Sequence, residues 1–151
     1  MSEVAFSLAG IASISAWLGL GVAAAVAPGL ARTRLLLISG RVVPVGLCIL
    51  YVYLLVAHWG PVPDGGFSSL AAVLKLFSVP GKMLTGWIHF LAFDLMVGRW
   101  LVDHALSHQH ARWPLLLGLP VTFMYGPLGV LSYCAGQFVA SRFAERSGVE
   151  A

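Results

Sequence analysis

Long apolar runs, separated by short polar stretches, dominate the chain and predict membrane-spanning helices. A spanning helix needs about 20 mostly apolar residues to cross about 30 Å of hydrocarbon, and four runs reach that length. We therefore predict an all-α integral membrane protein in which residues 1–151 form a single domain. The predicted spans cover residues of about 4–27, 35–57, 83–105 and 115–139.

The longest connection, residues 58–82, lies between the second and third spans. It opens with WGPVPDGG, which is a turn-forming sequence. The stretch from Phe67 to Phe77 then resembles a short helix at the membrane interface. The predicted architecture is a four-transmembrane-helix bundle with a short interfacial helix between spans 2 and 3.

Composition supports this class of protein. Hydrophobic residues make up 59% of the chain and charged residues 10%, against about 25% charged in soluble domains. The net charge of +3 comes from a few Lys and Arg near the ends of the apolar runs, so we expect no nucleic-acid partner. Cys48 and Cys134 lie inside apolar runs without CxxC spacing, which favours free thiols over a metal site or a disulfide.

The third span is the most unusual segment, because it reads MLTGWIHFLAFDLMVGRWLVDHA and contains His89, Asp94, Arg99 and Asp103. At about 1.5 Å of rise per residue from Met83, Asp94 lies roughly 17 Å into the span, close to the midplane. Ionisable groups at that depth cost at least about 2.5 kcal/mol each and normally face a protein interior. Asp94 is therefore the first candidate for a functional residue.

Helical geometry decides which of these groups can act together. His89 and Asp94 are rotated by about 140° from each other, so they converge only if a ligand or a neighbouring helix wraps the third span. Arg99 and Asp103 are four residues apart and can pair directly. A purely structural ion pair is the alternative to a functional role for these two residues.

Polar residues of the other spans predict a cavity around the third. Arg41 lies one turn before Pro44, which is expected to kink the second span, although Arg41 could instead reach the nearer interface. If the spans alternate in direction, a layer toward one side contains Arg41, Arg99, Thr122 and Tyr125. A layer toward the other side contains His89, Tyr51 and Tyr133. Asp94 falls between the two layers.

The fourth span has small and polar residues on one face at helical spacing. These residues are Thr122, Gly126, Gly129, Tyr133 and Gly136. The face could be a packing seam, a pocket wall or both, and such glycine seams could also serve homo-oligomerisation. Between spans 3 and 4, His104 and His108 stand one turn apart, but no further ligand completes a site, so a solvated loop is favoured and no metal is predicted.

Four segments together resemble the neoxanthin-synthase-like family, also called abscisic-acid-deficient-four-like. They read GLCILYVYLL, AAVLKLF, WIHFLAFDLMVGRW and FMYGPLGVLSY, and they extend from the second span to the fourth. The spacing of Trp87 and His89 with Asp94 is the most specific part. The resemblance points to His89 and Asp94 as catalytic residues, with weaker support for Tyr53, Lys75, Phe77 and Pro127.

The resemblance implies carotenoid chemistry. Plant members of the family are plastid membrane proteins needed to make neoxanthin from violaxanthin, which is an epoxide-to-allene isomerisation without redox change or obligatory cofactor. Asp94 would be the acid/base, His89 a second proton-transfer or orienting group, and Arg41 or Arg99 a charge support. The resemblance adds Trp87 and Tyr53 as residues expected to bind substrate or support charge, and the depth layers described above add Tyr125, Tyr133 and Thr122. A transit segment is not evident, so we expect a bacterial member in the inner (cytoplasmic) membrane.

Two other classes of function compete with the isomerase. A non-catalytic module could bind a carotenoid or other isoprenoid lipid, or help to assemble a membrane complex, and Asp94 would then hydrogen-bond Arg41 or Tyr125. A small transporter is least favoured, because no internal repeat is evident. In each case membrane lipid is an expected partner.

Overall fold

The computed structural model describes residues 2–107 and 111–146. In these ranges the chain is helical and contains no strand, which confirms the all-α prediction. The elements are α1 (Ser2–Ala25), α2 (Leu30–Leu37), a π-helical segment (Ile38–Val42), α3 (Val43–Ala57), α4 (Leu70–Phe77), α5 (Pro80–Ser107), α6 (Arg112–Tyr125) and α7 (Pro127–Arg146). α4 lies where the short helix between spans 2 and 3 was predicted.

Two helical stretches within the described ranges are long and apolar enough to cross a membrane, Ser2–Ala25 and Leu30–Ala57. The helix α5 is 28 residues long, but its ionisable residues reduce its hydropathy. The four-span bundle is therefore not confirmed.

The second of these stretches is one helical rod with a widened turn. Pro44 has no amide hydrogen to give to the carbonyl of Gly40, and in a regular α-helix its ring would crowd that carbonyl. The π-helical segment Ile38–Val42 lies immediately before Val43 and Pro44, and its wider turn relieves this conflict. The predicted kink beside Arg41 takes the form of this turn.

The helix α5 is central, and it packs against α1, α3, α4 and α6. It runs parallel to α1, since Phe6 lies beside Trp87 and Trp17 lies beside Gly98 further along both helices. A Cβ atom at Gly98 would lie 2.5 Å from the Trp17 ring, so the absent side chain is what admits the indole. Fully buried aliphatic side chains fill the space around α5, among them Leu20, Ile88, Leu95, Leu101 and Leu115.

The rod formed by α2, the π-helical segment and α3 runs antiparallel to α5. Tyr51 near the end of the rod meets His89 in the first half of α5, and Leu36 near its start meets Arg99 in the second half. This direction follows from the short connection after α1, because neighbouring helices joined by a short loop are antiparallel.

The structure differs from the prediction at the fourth span, where residues 115–139 do not form one helix. α6 ends at Tyr125, Gly126 has φ +50°, and α7 begins at Pro127. A positive φ favours glycine, and proline is well suited to the first turn of a new helix, so this pair breaks the helix and reverses the chain. Sequence reasoning noted the Gly-Pro pair but treated the apolar run around it as continuous.

The two helices form an antiparallel hairpin, and the predicted small-residue face is its packing seam. A Cβ atom at Gly129 would lie 2.2 Å from the backbone nitrogen of Thr122. A Cβ atom at Gly136 would lie 2.7 Å from Cβ of Pro114, and one at Gly118 would lie 3.1 Å from Cβ of Tyr133. The seam therefore joins α6 to α7.

We predict that Gly129→Ala destabilises the protein strongly, because the new methyl group meets backbone atoms that cannot move without separating the hairpin. Overpacking of this kind costs about 1–3 kcal/mol. Gly46→Ala is the matched control, since a Cβ atom there has open space around it and helix propensity alone favours alanine by about 1 kcal/mol. Unfolding of both purified variants in detergent measures the difference, and equal stability would contradict the seam.

Candidate functional site

A cavity of 620 Å³ lies beside the first half of α5, where α3 ends and the connection to α4 begins. Its aromatic wall is formed by Tyr51, Trp59, Phe67 and Phe77. Its aliphatic wall is formed by Leu55, Pro61 and Leu76. Its polar side chains are His58, Lys82, Thr85 and His89. The size suits a small-molecule ligand, and the few polar groups among apolar walls are typical of such sites.

Local polar contacts hold the outer wall of this cavity in place. The Ser69 hydroxyl accepts a hydrogen bond from the Ala72 amide at 3.2 Å and caps the start of α4. Lys82 Nζ donates to the Gly60 carbonyl at 3.0 Å and so ties the connection to α5. An exposed ion pair, Lys75 with Asp64 at 3.1 Å, links α4 to the same connection. Lys75 is thus a support of the wall.

Two glycines of α5 bring side chains to the cavity. A Cβ atom at Gly86 would lie 2.7 Å from the Phe77 ring, and a Cβ atom at Gly81 would lie 2.1 Å from the His58 ring. Both rings therefore lie directly on the α5 backbone. Phe77 is the aromatic residue of α4 that the family resemblance singled out.

His58 has a defined tautomer. Its Nδ1 lies 3.0 Å from the Leu54 carbonyl, and because a carbonyl only accepts, Nδ1 carries the hydrogen. In the neutral ring Nε2 is then an acceptor. Sequence reasoning missed this residue, because a histidine just after an apolar run reads as an ordinary interfacial residue. Only the contact with Gly81, far along the chain, makes it part of a site.

His89 lines the cavity, and its ring packs on other aromatic rings. Its ring stacks on Phe93 at 4.5 Å between centroids and lies 5.4 Å from the Tyr51 ring. Within residues 2–107 and 111–146, no group hydrogen-bonds its ring nitrogens, and the side chain is exposed. The imidazole is therefore free to contact a ligand.

Asp94 does not join His89. It lies on another face of α5, as the helical geometry requires, and is not among the residues that line the cavity. A Cβ atom built on Gly126 would lie 3.4 Å from Asp94 Oδ1, so the carboxyl group faces the tip of the α6–α7 hairpin. Its Oδ2 atom is buried and has no hydrogen-bond partner among the described residues, so the expected bond to Arg41 or Tyr125 does not form there.

The two arginines have different environments. Arg99 Nε donates to Asp103 at 2.7 Å, which confirms the predicted pair. Its guanidinium also donates to the Leu36 carbonyl, and its aliphatic stem packs on Gly40, where a Cβ atom would lie 2.4 Å from Cδ. Arg99 therefore joins α5 to the π-helical segment. Arg41 is exposed, as expected if it extends toward an interface.

The remaining predicted site residues lie outside the cavity. Tyr53 and Tyr125 are exposed, and Thr122 is buried in the hairpin seam, where it donates to the Gly118 carbonyl at 2.8 Å. Trp87 lines a second, smaller cavity of 360 Å³ at the start of α1 and α5. The structure thus separates residues that the sequence analysis had grouped.

Tyr133 does not lie in the layer of His89. Its hydroxyl lies 2.9 Å from Nδ1 of His104, at the opposite end of α5. The reversal at Gly126 carries α7 back toward this end, whereas a continuous fourth span would have carried it away. His108 and His110 lie outside the described residues, and the His104 ring also lies 5.3 Å from the Trp100 ring.

These features define a helical protein with a ligand-sized cavity beside a polar central helix. The chain belongs to the ABA DEFICIENT 4-like family, whose model matches residues 4–133, and this confirms the resemblance. Protein ABA DEFICIENT 4, chloroplastic, from Arabidopsis thaliana is 33% identical over 95 residues, covering 58% of this chain and 41% of that protein. The match thus spans less than half of the relative's length. No solved structure matches the chain.

We predict that Arg99→Met lowers the free energy of unfolding by about 1–3 kcal/mol, because it removes charge-assisted hydrogen bonds to Asp103 and to the Leu36 carbonyl. Arg41→Met is the control, because it removes one charge from an exposed site. It changes the free energy of unfolding by no more than about 0.5 kcal/mol. Chemical unfolding in detergent compares the two variants. Equal effects would mean that the hydrogen bond of Arg99 does not hold α5 to α2.

Proposed function

We propose that this is a membrane protein of carotenoid or isoprenoid metabolism that isomerises a xanthophyll or related polyene by acid/base epoxide chemistry. The observation that carries the proposal is the cavity, in which aromatic walls suited to a ring end group surround two imidazoles, His58 and His89. Membership of the ABA DEFICIENT 4-like family supports the substrate class. No cofactor is part of the proposal.

In the proposed reaction the substrate gains one proton and loses another, so the product is an isomer of the substrate. One group protonates the epoxide oxygen as its C–O bond breaks, and another removes a proton from the polyene carbon, whose C–H electrons form the new double bond. His58 Nε2 is an acceptor and suits proton removal. His89 then suits delivery to the oxygen, since its ring nitrogens have no partner in the described part of the chain.

This proposal changes the role first given to Asp94. Since Asp94 faces Gly126 and not the cavity, we assign direct proton transfer to the two histidines. Asp94 would instead hold the tip of the hairpin against α5. Tyr51 and Lys82 replace the more distant tyrosines and arginines as groups that can bind substrate oxygens.

The proposed membrane arrangement takes account of the hairpin. The outward side chains of α1 are large and apolar, including Leu8, Ile11, Ile14 and Leu18, as expected for a surface in contact with lipid. α6 has 14 residues and extends about 21 Å, too short to cross about 30 Å of hydrocarbon. We therefore propose three spans, formed by α1, the α2–α3 rod and α5, with α6–α7 entering the membrane as a hairpin. A bacterial inner membrane stays the predicted location.

A non-catalytic binding or assembly module is the second candidate. One observation favours it: among the described residues that line the cavity there is no carboxylate, and the half-buried Asp94 lies elsewhere on α5. The aromatic walls alone could bind a polyene without turnover.

We predict that His89→Gln and His58→Gln each lower product formation about 100-fold, the lower end of what general acid/base groups contribute. Asp94→Asn lowers it only a few-fold. His104→Gln is the control, because it removes an imidazole from the same helix outside the cavity. Each variant is expressed in a bacterial host that makes an epoxy-xanthophyll, and extracted pigments are separated by chromatography.

The outcomes separate the alternatives. A wild-type protein that purifies with stoichiometric unmodified pigment and gives no isomer would establish the binding module. Loss of product in Asp94→Asn, with pigment still bound and both histidine variants active, would return the acid/base role to Asp94 and overturn our assignment. Folded protein in each sample is verified by its helical circular dichroism.

A further inference from the structure

The second cavity, of 360 Å³, lies on the other flank of α5 and carries a different chemistry. Glu3 and Phe6 of α1 line it together with Met83, Leu84 and Trp87 of α5. Trp87 was expected to contact the polyene, but the structure places it here. The proposed isomerase does not use this cavity.

Its aromatic groups present an extended π surface. The Trp87 ring lies 5.9 Å from that of Phe6 with an interplanar angle of 32°. Phe90 does not line the cavity, but its ring lies 5.7 Å from that of Trp87 and extends the aromatic cluster along α5. Faces of Trp and Phe attract cations, and aromatic groups of this kind recognise quaternary ammonium ligands. Phe6 is contributed by α1, so the surface exists only where the two helices meet.

The charge of the cavity also favours a cation. Glu3 is its charged lining residue, and no Lys, Arg or His lines it among the described residues. The first cavity has a different lining, since its described residues include His58, Lys82 and His89 and no carboxylate. The described lining residues of the two cavities therefore differ in charge, with Lys82 in the first and Glu3 in the second.

The layout of the cavity matches an amphipathic ligand. Glu3 is in the first turn of α1, where the helix dipole favours the carboxylate. Trp87 lies seven residues after Pro80, about 10 Å further along α5. Because Phe6 lies beside Trp87 and the two helices are parallel, Glu3 is about one turn, roughly 4.5 Å, closer to the start of the helices than the two rings.

We propose that this cavity binds the ammonium headgroup of a zwitterionic phospholipid, with the ammonium between Glu3 and the faces of Trp87 and Phe6. The phosphate and the acyl chains would then extend past Trp87, away from the start of α5. A cavity of this size holds a headgroup and not a whole lipid. The bound lipid would join α1 to α5 at the end where no side-chain hydrogen bond between these two helices is present among the described residues.

The test measures lipid selectivity of the full chain in nanodiscs made from equal amounts of phosphatidylcholine and phosphatidylglycerol. Native mass spectrometry reports the lipids that remain bound. We expect retention of phosphatidylcholine over phosphatidylglycerol by about fivefold, from one cation–π contact and one exposed ion pair. Glu3→Gln and Trp87→Leu each reduce the ratio toward one, whereas Trp100→Leu, an exposed indole elsewhere on α5, leaves it unchanged.

Several results would overturn the proposal. These are a wild-type ratio of one, a ratio that persists in both Glu3→Gln and Trp87→Leu, or an equal loss in Trp100→Leu. Displacement by soluble choline without any lipid preference would show a site for free cations and would also overturn it. Glu3 is exposed and its substitution leaves packing intact, so Glu3→Gln decides the matter if Trp87→Leu fails to fold. None of these outcomes depends on isomerase activity.

Discussion

A charged side chain of α5 needs polar partners inside an apolar protein, and the way in which α5 packs against the α2–α3 rod follows from this constraint. Arg99 shows it most directly, because its guanidinium reaches across to a backbone carbonyl of α2 and its stem occupies the space left by Gly40. Pro44 widens the turn that contains Gly40, so a proline, a glycine and an arginine from two helices form one contact. The central helix is held by specific polar contacts as well as by aliphatic packing.

The same helix divides its surroundings into separate chemical regions. One flank carries imidazoles and an ammonium group, the other a carboxylate beside indole and phenyl rings, and a third face presents Asp94 to the hairpin tip. A helix with polar residues on several faces cannot serve a single pocket. This explains why residues close together in the sequence, such as Trp87 and His89, belong to different cavities.

Sequence reasoning recovers the helices and the direct pair of Arg99 with Asp103, because both depend on local spacing. It also separates His89 from Asp94, since the rotation per residue fixes that angle. Sequence reasoning fails where contacts between residues far apart in the chain determine the structure. The reversal at Gly126 needs the packing partner of each small residue to be known, and the role of His58 depends on a glycine more than 20 residues away. The predicted depth of Tyr133 was wrong because the reversal at Gly126 was not foreseen.

The packing seam of the hairpin couples the length of α6 to the length of α7. Pro114, Gly118 and Thr122 ascend α6 in equal steps and meet Gly136, Tyr133 and Gly129, which descend α7 in nearly the same steps. A residue gained or lost in one arm would slide every later small residue past its partner and set a side chain against backbone. Related chains should therefore change the two arms together or leave both lengths alone, and vary most freely beyond the last meshed pair.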